Sequence, residues 1–375
     1  MKPTDDLDKL AAALGGVRIG PAVSASSLAG WLEVMADRGA SDLLLFAGEP
    51  PTLRIEGRVV RTNASVLDGD DITGLVMPEL GPHALRQFRE HGIADAALKV
   101  AGLGRFRINL HHERGRPAAA IRRLPATVPG LGSLNLPPGA AMLSRIPRGL
   151  VIIGGATGSG KTTTMAAVVD EINRRDEKHI ICIEDPIEYE HTNKKCVIQH
   201  VEVGIDAPDF PTALRSALRQ APDVLVIGEM RDPETMRIAL AAGETGHLVL
   251  STLHTTDVAS TIARITDSFP AERQPTIRQE VAAALAAVFV QTLVPATGGR
   301  VPAAELLMIQ YGARQHIRRN ALQHLHQEIT ITRKYGSFTV EECLAKLVAK
   351  GTVERSEAVV RVSHPEDFES ALRAT

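Results

Sequence analysis

The sequence predicts an α/β protein built from two domains, and three observations lead to this prediction. A chain of 375 residues has the length of two average domains. In its second half, short apolar runs alternate with helical stretches, which is typical of a parallel sheet buried on both faces. The segment 125–147 is rich in Pro and Gly and is the sharpest change of composition in the chain, so it predicts a linker.

The first domain is predicted over residues 26–124 as a small α+β domain that follows a disordered tail over residues 1–25. Its first helix is expected over 26–38, where apolar residues recur at helical spacing and Ser27 can cap the first turn. The other elements that the pattern predicts are strands at Leu43–Phe46, Thr52–Ile55, Ala94–Leu98, Arg105–Leu110 and Ala118–Arg122, and a helical segment over 70–89 interrupted near Gly81-Pro82.

The second domain is predicted over residues 148–375. Its buried strands are expected at Leu150–Ile153, Ile180–Ile183, Val224–Ile227 and Leu248–Ser251. Helical stretches separate these runs, so the strands should pair in parallel. From about residue 302 onward the pattern favours helices alone, and we expect a helical C-terminal part there.

The composition excludes several classes of protein. The formal net charge is −2 and aromatic residues make up 3% of the chain, which argues against a nucleic-acid binder. The three cysteines, Cys182, Cys196 and Cys343, show no C-x-x-C spacing and indicate no four-cysteine zinc site. No signal peptide is apparent, and the most apolar stretch, Val281–Val294, is shorter than the ~20 residues of a membrane-spanning helix. We therefore expect a cytoplasmic protein with no direct membrane insertion.

The clearest motif is a phosphate-binding loop. Residues 155–162 read G-x-x-x-x-G-K-T and stand between a predicted strand and a predicted helix, as a P-loop requires. In such a loop the backbone N–H groups wrap a polyphosphate, Lys161 reaches the β- and γ-phosphates of ATP, and Thr162 ligates Mg²⁺. The candidate nucleotide-binding residues are Gly155, Thr157, Gly158, Ser159, Gly160, Lys161, Thr162 and Thr163. The alternatives are an incidental Gly-rich turn and a Rossmann dinucleotide site, although the third glycine of the latter is missing.

Carboxylates follow two later strands of the predicted sheet, where a P-loop enzyme needs a group that holds the metal or activates water. Ile180–Ile183 leads into Glu184 and Glu188, and Val224–Ile227 leads into Glu229. Glu229 is the stronger candidate for positioning or deprotonating the attacking water. Glu184 and Glu188 would serve the metal or the water, and a solvated loop acid is the alternative for each of the three.

Two histidines, His247 and His254, flank the predicted strand Leu248–Ser251. They fit poorly as a zinc pair, so we interpret both as candidate catalytic residues, with His254 as a sensor beside the γ-phosphate. Ordinary hydrogen-bonded core histidines are the alternative. His324 and His326 are interpreted as surface residues, because positions i and i+2 of a helix do not face each other.

Four blocks together resemble the ATPase superfamily of type II secretion and type IV pili. They are the P-loop 155–162, the acidic segment 183–188, the segment 226–232 around Glu229, and the segment 246–255 with both histidines. In order and spacing they resemble the Walker A motif, Asp box, atypical Walker B motif and His box of that superfamily. The likeness is strongest to its pilus retraction group, which drives twitching motility, and it extends over roughly residues 25–365.

This resemblance implies a PAS-like N-terminal domain joined to a RecA-like P-loop ATPase domain with a helical C-terminal part. It implies a homo-hexamer that binds ATP and Mg²⁺ and lies peripheral to the inner membrane at the pilus base. The partner there would be the platform protein, and the resemblance admits a paralogous retraction ATPase as a further partner. Arginine fingers are also implied, and the basic region 105–123 supplies the candidates Arg105, Arg107, Arg114 and Arg122. Movement of the small domain across the linker would couple hydrolysis to work.

Alternatives to pilus retraction stay open at this point. A pilus assembly or type II secretion ATPase usually carries a four-cysteine zinc module, for which this sequence lacks the cysteines. A nucleotide-binding regulatory protein without useful hydrolysis would not need all of the motif carboxylates. The basic segment 311–335 is either a docking site for the platform protein or a solvated helix face.

Overall fold

The computed structural model describes residues 26–375 and divides the chain into two units between Ala126 and Thr127. The tail predicted over residues 1–25 lies outside the described residues. Within residues 26–375, no helix is both long and apolar enough to cross a membrane.

The first unit contains an antiparallel sheet of six strands in the order β3-β2-β1-β6-β5-β4. The strands are β1 (Asp42–Phe46), β2 (Thr52–Ile55), β3 (Arg58–Arg61), β4 (Ala94–Val100), β5 (Gly104–Glu113) and β6 (Arg116–Arg123), and the helices are α1 (Leu28–Asp37), α2 (Gly69–Val76) and α3 (Pro82–His91). Trp31, Leu43 and Phe106 lie in the core that joins the helices to the sheet. The N–H of Gly30 donates to Ser27 Oγ, the predicted cap of α1. The α+β fold class predicted for this region is confirmed.

The second unit contains a sheet of seven strands in the order β13-β12-β7-β11-β10-β8-β9. The strands are β7 (Gly149–Gly154), β8 (His179–Glu184), β9 (Val197–Glu202), β10 (Val224–Ile227), β11 (Leu248–Leu253), β12 (Leu285–Ala296) and β13 (Gly299–Met308). All neighbouring strands pair in parallel except β12 and β13, which form an antiparallel hairpin. The four strands predicted from apolar runs are therefore the middle of the sheet, and the α/β fold class is confirmed.

Helices cover both faces of this sheet. They are α4 (Lys161–Arg175), α5 (Phe210–Ala217), α6 (Pro233–Glu244), α7 (Val258–Asp267), α8 (Gln274–Ala284), α9 (Tyr311–Arg318), α10 (Leu325–Ile331), α11 (Val340–Ala349), α12 (Arg355–Val359) and α13 (Pro365–Ala374). Successive residues of β7 point into different cores: Leu150 and Ile152 pack with α5–α10, whereas Val151 and Ile153 pack with α4 and α11–α13. Burial on both faces explains why these strands read as continuous apolar runs.

The segment predicted as a linker is mostly part of the second unit. It forms two short 3₁₀ helices, Leu131–Leu134 and Pro138–Arg145. Leu143 and Ile146 are buried in the core beside α4, and the guanidinium of Arg175 donates to Ser144 Oγ at 3.3 Å. The prediction of a linker reaching to residue 147 is therefore wrong from residue 127 onward, because these apolar side chains are anchored by burial.

The C-terminal part is not helical from residue 302. The hairpin of β12 and β13 continues to Met308, and helices follow only from Tyr311. The junction was hidden in the sequence because α8 ends at Ala284 and β12 begins at the next residue, so a single apolar run spans both. Strand β3 was also missed, since three of its four side chains are exposed and show no apolar alternation.

Candidate active site

A tight loop connects the carboxyl end of β7 to α4. Gly155 has φ of 150°, and a Cβ atom there would lie 2.3 Å from Ser159 Oγ. Gly160 has φ of 89°, and a Cβ atom there would lie 3.0 Å from the side-chain amide of Gln291. Only glycine fits both positions, so the loop keeps the close backbone path that turns N–H groups toward a phosphate at the start of α4. The predicted phosphate loop is thus present as a strand-loop-helix unit.

The side chain of Lys161 packs against this loop. This side chain is nearly buried, and Nζ donates to the backbone oxygens of Gly155 at 2.8 Å and Ala156 at 3.0 Å. Burial lowers the pKa of Lys161, and the nearby carboxylates of Glu229 and Glu188 oppose that shift. The two predicted acidic residues therefore lie close enough to interact with the loop lysine. A phosphate at the loop would replace the two carbonyl oxygens as the acceptor for Nζ.

A residue that the sequence analysis did not select makes hydrogen bonds to the loop. The buried amide of Gln291 in β12 donates from Nε2 to Ser159 O at 2.7 Å. The hydroxyl of Thr164 donates to Gln291 Oε1, also at 2.7 Å. Gln291 therefore joins the loop to the first turn of α4. The only signal in the sequence was a glutamine within the apolar run Val281–Val294.

The loop's dependence on Gln291 gives a first prediction. Replacing Gln291 by Ala removes two hydrogen bonds, each contributing about 1 kcal/mol, and leaves Ser159 O buried without that donor. We expect the KM for ATP to rise about 10-fold, with a smaller fall of kcat. Steady-state kinetics of the purified variant measure both. Gln327→Ala, in an exposed position of α10, is the matched control, and an unchanged KM in Gln291→Ala would contradict this role.

Thr162 and Glu184 are the residues that could hold a magnesium ion. Both line one small cavity beneath the loop, together with Tyr189. The carboxylate of Glu184 is buried and accepts the N–H of Glu188 at 3.3 Å. A hydroxyl and a carboxylate oxygen are donors that suit Mg²⁺, so this pair fits the predicted metal. The neighbouring Thr163 is instead engaged with Tyr189, with its Oγ1 3.0 Å from the phenol oxygen.

Glu229 follows β10, and its two carboxylate oxygens contact an arginine and a histidine. Arg231 Nη2 is 2.9 Å from Glu229 Oε2, and His254 Nε2 is 3.3 Å from Glu229 Oε1. The other ring nitrogen of His254 lies 3.4 Å from the hydroxyl of Thr157 in the loop. These contacts fix the carboxylate of Glu229 next to the loop 155–162. A carboxylate held in this way can orient a water molecule. Arg231 was missed by the sequence analysis, although it follows Glu229 by only two positions.

The comparisons with known proteins agree with this geometry. Residues 137–371 match the family described as type II/IV secretion system protein. The chain belongs to this family. The type IV pilus retraction ATPase PilT of Pseudomonas aeruginosa is 40% identical over 338 residues, which cover 90% of this chain and 98% of that protein. The ATPase PilU of the same organism is 35% identical over 344 residues, which cover 91% and 90% of the two chains.

A solved structure extends the similarity to the fold. The crystal structure of a pilus retraction motor, PilT with bound ADP, has a TM-score of 0.81 and 39% identity to this chain. It covers 90% of this chain and 98% of that one. The recognised family and the α/β fold class with an additional N-terminal sheet domain are therefore confirmed, and the protein is an ATPase of the type II/IV secretion family.

The two candidate histidines lie at opposite ends of β11. In this secretion ATPase, His254 follows the carboxyl end of the strand, where the phosphate loop and Glu229 also lie. His247 precedes the strand, about 20 Å away along six residues, and its Nδ1 lies 3.1 Å from the carbonyl oxygen of Ala242. The structure separates His247 from the nucleotide site of its own chain, because the parallel strands bring only their carboxyl ends together there.

The four arginine-finger candidates do not form one cluster. Arg105 and Arg107 alternate with buried residues of β5, so they lie on the sheet face that is turned away from the helices. Arg122 is the cross-strand neighbour of Arg107, and its Nε lies 2.7 Å from Asp42 Oδ1. Arg114 is in the turn after β5, roughly 30 Å along the strand from Arg105. Arg107 Nη2 lies 3.4 Å from Asp95 Oδ1, so each member of this cross-strand pair has an acidic neighbour.

Two arginines of the basic segment 311–335 make contacts within the second unit. Arg314 Nη1 donates to the last backbone oxygens of α8, one of them Ala283 O at 2.9 Å, and Arg333 pairs with Glu342. Arg318 and Arg319 at the end of α9, together with the exposed Lys334, are the other cations of this segment.

Proposed function

We propose that this protein is a Mg²⁺-dependent ATPase motor that powers retraction of a type IV pilus and so drives twitching motility. The observation that carries the proposal is the position of Glu229, which is held by His254 and Arg231 beside the loop of Lys161. Support comes from the near-complete overlap with a relative named as a pilus retraction ATPase. Assembly and secretion ATPases remain the alternative function.

In this proposal each side chain at the loop has a separate task. The loop N–H groups and Lys161 bind the β- and γ-phosphates of ATP. Thr162 and Glu184 hold Mg²⁺, which neutralises charge on the phosphates when it is bound. Glu229 orients the attacking water and accepts its proton, while His254 and Arg231 fix the orientation of Glu229. Glu188, whose charge interacts with that of Lys161, assists at the metal or the water.

The motor would work as a homo-hexamer in the cytoplasm, peripheral to the inner membrane at the pilus base. The chain passes from one unit to the other at Ala126 and Thr127, where a hinge would lie. Arg107 and Arg122, which are cross-strand neighbours, are the arginines that we propose as fingers. Arg318 and Arg319 would contact an acidic loop of the platform protein, and a paralogous retraction ATPase is a further proposed partner.

Deleting the gene tests the direction of the proposed force. Without a retraction motor, pili are still assembled but are not withdrawn, so we expect cells with at least the normal number of surface pili that do not spread by twitching. Electron microscopy of the pili and a surface-motility assay measure the two properties. A plasmid copy of the gene should restore both, and loss of surface pili in the deletion strain would instead indicate an assembly ATPase.

A further inference from the structure

Three side chains with metal-binding atoms meet at the C-terminal end of the second unit. His326 belongs to α10, His364 precedes α13, and Asp367 lies in the first turn of α13. Their ligand atoms all lie within 4.8 Å of one another. His326 Nε2 is 2.9 Å from Asp367 Oδ2, and the two imidazole rings stack with 3.7 Å between their centroids. His326 was interpreted as a surface residue, and its side chain is partly exposed, but the fold also brings the start of α13 against it.

A buried carboxylate lies behind this cluster. Glu341 is 1% exposed, and its Oε1 accepts the N–H groups of Ser363 at 3.2 Å and His364 at 3.1 Å. The same oxygen is 3.4 Å from His364 Nδ1, whereas Glu341 Oε2 is buried without a hydrogen-bond partner. A buried carboxylate oxygen left without a partner is costly, so the surroundings of Glu341 favour an added cation.

The cluster borders a cavity of about 310 Å³. Glu341, His326 and His364 line this cavity, and so does a second buried carboxyl group, that of Glu305. Burial, together with the charges of Asp257 and Glu341, raises the pKa of Glu305 to about 7. Arg361 also lines the cavity, but its Nη1 is engaged with Glu357 at 2.7 Å. The two histidines and the two buried carboxyl groups therefore line one cavity.

We propose that His326, His364 and Asp367 bind one divalent transition-metal ion, for which Zn²⁺ is the best fit. Two imidazoles and a carboxylate are ligands that suit Zn²⁺ better than Mg²⁺ or Ca²⁺. Zinc bonds of about 2.0–2.1 Å place tetrahedral ligand atoms ~3.3 Å apart, so the 2.9 Å contact between His326 and Asp367 has to open slightly. Because the two imidazole rings are stacked, one of them has to turn so that both ring nitrogens point to the ion. Glu341 is a positioning residue, since a carboxylate beside a metal-bound imidazole orients its ring.

The ion would link α13 to α10. His326 is in the middle of the second unit's C-terminal part, whereas His364 and Asp367 belong to the start of α13. Bound metal therefore stabilises the folded state by mass action. The three ligands are not residues of the phosphate loop, although Gln291 lines the same cavity as His326 and His364. Occupancy of the metal site can be measured without ATP hydrolysis.

Cobalt binding to the full chain tests the proposal. The purified protein is stripped of metal with a chelator, supplied with excess Mg²⁺, and titrated with Co²⁺ while the visible absorption is recorded. We expect one Co²⁺ per chain with the intense visible bands of a low-coordinate site, and displacement of that signal by Zn²⁺. In His364→Ala and in Asp367→Asn the affinity should fall at least ~10-fold. His324→Ala, an exposed histidine outside the cluster, is the matched control and should bind like the wild type.

Thermal unfolding gives a second readout. At a Zn²⁺ concentration ~100-fold above Kd, the Tm of the wild type should rise by about 5–10 °C, and that of His364→Ala should not rise. Asp367→Asn changes a half-exposed position, so it keeps the test valid if the histidine variant folds poorly. A wild type that binds no Co²⁺, or variants that bind it as well as the wild type, would overturn the proposal.

Discussion

Glu229→Gln is expected to keep ATP binding and to lose hydrolysis. Glutamine has the shape of glutamate and can keep a contact with Arg231, but its amide cannot accept a proton from water. We expect kcat to fall by about 10²–10⁴-fold, the range for loss of a general base. Phosphate release measures kcat, and a fluorescent ATP analogue measures binding of the nucleotide to the same preparation.

The control for this variant is another glutamate at the start of the next helix. Glu234 lies in the first turn of α6, is about half exposed and pairs with Arg215. Glu234→Gln has the same change of charge and should keep a normal kcat. If Glu229→Gln hydrolysed ATP within about 2-fold of the wild type, water activation would have to be assigned to another group, and Glu188 would be the next candidate.

Lys161→Ala is expected to weaken nucleotide binding strongly. Hydrogen bonds from a charged group contribute about 1.5–3 kcal/mol each, so losing the contacts of Nζ with the phosphates should raise the Kd for ATP ~100-fold or more. The variant also leaves the carbonyl oxygens of Gly155 and Ala156 without their donor. Calorimetric titration with ATP and Mg²⁺ measures the change.

Two further measurements decide how the Lys161 result is interpreted. Lys350→Ala removes an exposed lysine at the end of α11 and should bind ATP normally. Circular dichroism should show the same secondary structure for both variants and the wild type. Tight ATP binding by a folded Lys161→Ala protein would show that the loop 155–160 is not the phosphate site.

The phosphate loop and the carboxylates after β8 and β10 could be predicted because their signals are local. A strand, a glycine-rich loop and a helix follow one another directly, and each acid stands just after an apolar run. The rule that parallel strands expose their carboxyl ends at one edge then brings these segments together. Applied to β11, the same rule separates His254 from His247, which the sequence analysis had kept together as candidates.

Gln291 could not be found in this way, because its partners are distant in the chain. It contacts Ser159 and Thr164 from a strand that had not been separated from the helix before it. The meeting of His326 with His364 and Asp367 is equally non-local, since it depends on how α13 packs. Pairings of this kind follow from tertiary packing rather than from local pattern.

The segment 125–147 was predicted as a linker, but from residue 127 onward it belongs to the second unit. Pro and Gly punctuate both flexible connections and short helical turns, so their number cannot distinguish the two. Burial makes the difference here, since Leu143 and Ile146 anchor the segment to the second unit. The hairpin of β12 and β13 escaped prediction because apolar periodicity cannot separate a buried strand from a buried helix.

Direct observation of pilus retraction tests the central claim. Pili are labelled with a fluorescent dye on living cells that lack the gene, and retraction events are counted after complementation with the wild type, Glu229→Gln or Glu234→Gln. We predict that the wild type and Glu234→Gln restore retraction and that Glu229→Gln leaves extended pili that do not shorten. Retraction at the wild-type frequency with Glu229→Gln, or in cells without the gene, would contradict the assignment of this chain as the ATP-driven retraction motor.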